Sequence, residues 1–161
     1  MKRCSSMAAA ALTVVSGMAW AGPLEDGIAA HQSANYAVAL NTFRTLAEQG
    51  SAAAQFNLGQ MYRLAQGVPR DYVDAAKWYH LAAEQGDAQS QYNLGVMYYN
   101  AQGVSRNFVF SHMWLTLSAT SGAENAVRNR QMLARQMTPE QIAQARQLTR
   151  ACQQQDFKGC D

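Results

Sequence analysis

Between Cys4 and Cys152 the sequence has no cysteine, and nowhere does it carry the ~20 continuous apolar residues needed to span a bilayer. It also lacks Ser-x-x-Lys, Gly-x-Ser-x-Gly, His-Glu-x-x-His and any glycine-rich phosphate loop. The first absence excludes a disulfide framework spread through the chain, and the second excludes a membrane-spanning helix. The third leaves no motif for nucleophilic, zinc-dependent or phosphoryl chemistry. Only three histidines are present, His31, His80 and His112, and they are far apart in sequence. A catalytic base needs an orienting partner, and no such pair is visible here.

An excess of charge is missing as well, once the amino terminus is set aside. Lys2 and Arg3 precede an apolar run from Met7 to Val15, broken only by Thr13, and Ala19-Trp20-Ala21 follows as a small-x-small site. That order is a secretory signal with cleavage after Ala21. Ser16 and Gly17 interrupt the run too early for an anchor, and Cys4 lies before it, unlike the lipid-modified cysteine that directly follows a cleavage point. Removing residues 1–21 takes the basic count from 13 to 11, equal to the 11 acidic residues. A neutral chain argues against nucleic acid as a partner, because nucleic-acid binding normally needs a net basic face. The expected location is the periplasm or the exterior. Two cysteines remain, Cys152 and Cys160, and an even count in an exported chain points to a disulfide between them. Their spacing does not fit a zinc knuckle, and no histidine lies nearby.

What the chain does have is a repeat. Residues 51–86 and 87–122 align at an offset of 36 with 17 identities in 36 positions. Leu58-Gly59 recurs as Leu94-Gly95, Met61-Tyr62 as Met97-Tyr98, Gly67-Val68 as Gly103-Val104, and Trp78 as Trp114. Gly50, Gly86 and Gly122 punctuate the chain at the same interval. A period of this length is that of stacked helix hairpins, each unable to bury its apolar face alone. Ser51, Asp71, Asp87 and Asn107 sit where helix N-caps are needed, and Asn35 is the matching candidate in a shorter first hairpin. Thr138-Pro139-Glu140-Gln141 is a capping box with proline at the first helical position. Gly67 is expected at positive φ. A mid-helix glycine costs about 1 kcal/mol relative to alanine; its recurrence at Gly59 and Gly95 predicts close packing, with Trp78 as the large neighbour. His80 corresponds to Thr116 and His112 to Ala76, so neither is required by the repeat, and both are expected on the surface or half-buried. Arg128, Arg130, Arg135, Arg146 and Arg150 are expected to form the polar outer face of a terminal cap.

The run Ala52-x-Ala54-Gln55-x-x-Leu58-Gly59-x-Met61-Tyr62, then Gly67-Val68, Asp71 and Ala75-x-x-Trp78-Tyr79-x-x-Ala82-Ala83-x-x-Gly86, resembles the Sel-one-like repeat, a branch of the tetratricopeptide repeat superfamily. The resemblance implies an all-α fold, an α-solenoid of stacked antiparallel hairpins over 24–50, 51–86 and 87–122, with a helical cap over 123–161. It also implies a protein-interaction scaffold, of the kind found in bacterial envelopes and signalling complexes. The third unit departs from the pattern at Ser111, His112, Leu115 and Ser118. Cysteine-rich secreted members linked to β-lactam binding carry a cysteine pair in each repeat; this chain has none there, so that activity does not transfer.

In such solenoids the first helix of each pair lines the concave side. The residues left over from the framework are Phe56, Gln60, Arg63 and Leu64 in one copy, and Gln89, Tyr92, Val96, Tyr99 and Asn100 in the next. Exposed aromatics there are candidate anchors for an extended or helical peptide. The alternative is that they pack against the neighbouring hairpin. The sequence therefore reads as an exported, non-enzymatic scaffold with no cofactor, binding a protein or peptide through its concave face. Two other readings are an envelope-assembly protein docking through its arginine-rich terminal helices and a cell-wall hydrolase.

Overall fold

In the computed structural model residues 22–160 are described, and the expected leader lies outside them. Among the described residues there are eight helices and no strand. They are α1 (Pro23–Gln32), α2 (Tyr36–Glu48), α3 (Ala52–Leu64), α4 (Tyr72–Ala83), α5 (Ala88–Asn100), α6 (Phe108–Thr120), α7 (Glu124–Ala134) and α8 (Pro139–Gln154). None of them is long and apolar enough to cross a membrane. Helices α1 and α2, α3 and α4, and α5 and α6 pack as successive hairpins, and α2 meets α3 as α4 meets α5.

Local chemistry sets the helix starts. The side chains of Ser51, Asp71, Asp87 and Asn107 each accept a backbone N–H of the first turn, satisfying donors that have no partner inside the helix. The Thr138–Gln141 box closes reciprocally at 3.2 and 3.0 Å. Asn35 departs from expectation. It holds the N-cap position of α2, but its side chain makes no capping bond. Its ψ is 67°, against 106–112° at the four other hairpin caps, so the chain enters α2 by a different backbone path.

The loops supply the stacking register. Gly67 has φ +74° and lies against Tyr36; Gly103 has φ +70° and lies against the carbonyl of Tyr72. Each loop thus rests on the start of the second helix of the hairpin before it. Tyr36 and Tyr72 are themselves 36 residues apart, so one contact recurs down the stack.

Gly59 does solve a packing problem, but the neighbour is Tyr79, not Trp78. Ring carbons of Tyr79 lie 2.9 Å from where a Cβ on Gly59 would sit. Tyr79 is fully buried, whereas Trp78, its neighbour on α4, is half-buried against a cluster that includes Phe43 of the preceding hairpin and Leu58 of its own. Trp114, its repeat partner, is fully buried among Met97, Met113 and Leu117. Burying side chains of this size stabilises by ~1.5–3 kcal/mol each.

The departures in the third hairpin fall on a helix that is covered from several sides. Helices α7 and α8 both pack on α6, and α6 is therefore covered by α5 as well as by both of them. A helix covered on several sides must be apolar nearly all round or satisfy its polar groups internally. Ser111 Oγ donates to the carbonyl of Gly95 at 2.6 Å and Ser118 Oγ to that of Ala88 at 2.8 Å. Leu115 replaces Tyr79 against Gly95. His112 is buried, only 6% exposed, contrary to expectation.

Helix α7 begins at Glu124, 36 residues after Ala88 begins α5, and thus takes the place of a fourth first helix. Beyond α8, a disulfide joins the buried Cys152 and Cys160. It folds the tail back so that Phe157 packs against Gly86 and the Gly159 amide donates to Glu84 Oε1 at 2.8 Å. The carboxyl end is thereby pinned to α4, two hairpins away in sequence.

Candidate binding face

The expected binding residues lie on α3 and α5, and their fates differ. Phe56 is half-buried, its ring tilted against Tyr79 at 6.1 Å, so it is a packing residue. Arg63 is half-buried and its Nε donates to the Tyr79 hydroxyl at 3.2 Å. Burial raises the Tyr79 pKa, and the Arg63 bond and charge partly oppose that rise. Gln60 is half-buried, while Leu64 and Gln89 are exposed.

On α5, two tyrosines seven residues apart meet α7. Asn129 Nδ2 donates to the Tyr92 hydroxyl at 3.1 Å, and Gln136 Nε2, just past the end of α7, donates to the Tyr99 hydroxyl at 3.2 Å. Both pairs span 37 residues, so α7 runs alongside α5 in register. Tyr99 also stacks on Phe108, with centroids 5.6 Å apart and planes 21° from parallel. Tyr92 is therefore held by the neighbouring helix, as in the alternative that sequence left open, and Tyr99 is both held and 37% exposed.

Between α5, α6 and α7 lies a cavity of about 300 Å³. Val96, Tyr99 and Asn100, three of the expected residues, form one wall, and Met132, Leu133 and Gln136 form the other. Gly95 and Leu115 contribute to the floor. Gly95 adds no side chain to the floor, and Leu115 stands where its Cβ would be. Phe56, Gln60, Arg63, Leu64, Gln89 and Tyr92 lie outside it. Met132, 50% exposed, and Gln136 were not foreseen. The 36-residue frame that places α7 could have found them, but the Leu-Gly signature of the frame is replaced by Arg130-Gln131.

The histidines are dispersed. His31 Nε2 is 2.9 Å from Gln66 Oε1, His80 Nδ1 is 3.8 Å from Glu84, and His112 Nδ1 is 3.3 Å from Thr116 Oγ1. Among the described residues no three His, Cys, Asp or Glu side chains converge in a way that could hold a metal ion.

The family model that matches the chain is the Sel1 repeat, over residues 52–87 and 88–122. Two solved structures are similar. One is a protective antigen present in uropathogenic Escherichia coli strains and displaying an SLR fold, at 29% identity and a TM-score of 0.77 over 84% of this chain. The other is a Sel1 repeat protein from Oxalobacter formigenes, at 32% identity and a TM-score of 0.65 over 68% of this chain. The chain spans 31% and 45% of the lengths of these two proteins. No curated protein matches it.

Proposed function

We propose, from the premise that residues 52–87 and 88–122 of this chain are Sel1 repeats in an SLR fold, that it is an exported scaffold binding a protein or peptide segment along α3, α5 and α7. Sel1 repeats generally act as protein-binding scaffolds. The observation that carries the reading is the cavity between Tyr99 and Met132. Its walls leave two large apolar groups, Tyr99 and Met132, partly exposed beside one another. A cavity of that size accepts one apolar side chain of a partner, with Asn100 and Gln136 at the rim able to hydrogen-bond its backbone. The role is binding rather than catalysis. Residues 1–21 act as a cleaved leader, 22–122 as the repeat body and 123–161 as its cap. Export accords with the Cys152–Cys160 disulfide, which persists in oxidising compartments.

The test places a photo-crosslinking residue at Asn100 in the exported protein, with Glu25 on α1 as control. The reading requires a discrete crosslinked partner from Asn100 that is absent from Glu25 and is lost in a folded Tyr99→Ala variant. Equal crosslinking from both positions, or none from Asn100, refutes it.

A further inference from the structure

A second cleft, of about 430 Å³, lies on the other side of α7, where α6, α7 and α8 meet. Each helix presents it with a stripe at helical spacing. Helix α6 contributes His112 and Thr116, α7 contributes Arg130 and Ala134, and α8 contributes Ile142, Arg146 and Arg150. Three of the five arginines expected on a solvated outer face thus converge on one concavity. Among the described residues none of the three has an ion-pair partner; the one pair formed by a basic side chain is His80 with Glu84. Residues 123–160 carry six basic side chains against three acidic ones, Glu124, Glu140 and Asp156. None of those carboxylates lines the cleft.

Arg130 is half-buried and Arg146 and Arg150 are exposed at the cleft, and the charge of the first two reaches His112. The His112 pKa is lowered, first by burial and then by the charges of Arg130 and Arg146. A resident anion would offset the arginine charges, though not the burial. Guanidinium forks bind carboxylate and phosphate oxygens bidentately, so three arginines on one cleft suit a ligand of that kind. Ala134 and Ile142 give it an apolar lining between the charges, and its volume is that of a small-ligand site. We propose that this cleft binds a small organic or inorganic anion carrying two or more carboxylate or phosphate charges, held by Arg130, Arg146 and Arg150. The site is distinct from the cavity at Tyr99 and does not depend on the scaffold reading.

Calorimetric titration of the full exported chain with citrate and with pyrophosphate, at matched ionic strength, tests it. At least one probe should bind, moving the His112 ring-proton resonances. Arg130→Gln and Arg146→Gln should each weaken it about tenfold or more, the scale of a lost charge-assisted hydrogen bond. Arg128→Gln, on α7 but outside the cleft, should leave the affinity unchanged, and circular dichroism should report all three variants folded. Preference for citrate assigns the site to polycarboxylates, and preference for pyrophosphate to phosphates. Binding of neither probe, undiminished binding in the cleft variants, or equal weakening by Arg128→Gln overturns the proposal.

Discussion

The ring of Tyr79 occupies the space that a β-carbon on Gly59 would need, its Cδ1 and Cε1 both 2.9 Å from that point, with the carbonyl of Ala75 at 3.3 Å. Neither neighbour can move easily, because Tyr79 is wholly buried and the carbonyl belongs to a helix backbone. The next hairpin repeats the relationship with different atoms, Leu115 Cγ standing 2.7 Å from the equivalent point on Gly95.

Gly59→Ala and Gly95→Ala are therefore predicted to destabilise. Alanine is favoured over glycine inside a helix by ~1 kcal/mol, but overpacking a close-packed site costs ~1–3 kcal/mol. Thermal melts should show a net loss for each. A rise in melting temperature, as an exposed helical glycine would give, contradicts the packing account.

A second recurring bond joins hairpin to hairpin. Gln55 Nε2 donates to the carbonyl of Ala47 at 3.1 Å, and Gln91 Nε2 to that of Ala83 at 3.2 Å. Both glutamines are buried, and each ties a first helix to the end of the helix before it. Gln91→Met keeps the volume and removes the bond, so a loss of ~1 kcal/mol in denaturant unfolding is expected. No change would mean that water or the Gly86 amide, which already donates to Ala83, replaces the bond fully.

The disulfide holds the tail against α4. Cys160→Ser should lower stability by ~2–3 kcal/mol, the chain-entropy value for so short a loop. It should also free Phe157 and the Gly159 amide, raising hydrogen exchange at the carboxyl end. Alkylation of both Cys152 and Cys160 in the unreduced protein would refute the crosslink itself.

His112 makes stability depend on pH. Its folded pKa lies below the unfolded value near 6.5, so below 6.5 the unfolded chain binds the proton more readily. Stability is then full above pH 6.5 and falls as pH drops from 6.5 toward the folded pKa. The charged side chains that act on His112 are those of Arg130 and Arg146. In urea melts between pH 7.5 and 5, His112→Gln should flatten this part of the profile; an unchanged profile would remove His112 from the account.

Much of the fold was legible in the sequence, because its determinants are local. Ser51, Asp71, Asp87, Asn107 and Thr138 mark helix starts through contacts within four residues, and the offset of 36 announces that hairpins with like faces stack. The cavity was legible on one side only. Val96, Tyr99 and Asn100 differ from their counterparts in the preceding copy and so stood out, whereas Met132 and Gln136 lie on a helix that has lost the repeat signature.

The amino-acid sequence by itself determined that helix hairpins form, where they begin, and which glycines must remain bare. Only the tertiary structure decided that Tyr79 rather than Trp78 fills the space at Gly59. Adjacent residues on a helix point about 100° apart, and the crossing of α3 over α4 selects between them. Tertiary packing also decided that Arg130, Arg146 and Arg150 line one cleft, with Arg146 and Arg150 still exposed to solvent. Each arginine sits on a helix whose own pattern is merely polar; their convergence arises from α7 and α8 docking together on α6, a relation that no stretch of sequence contains.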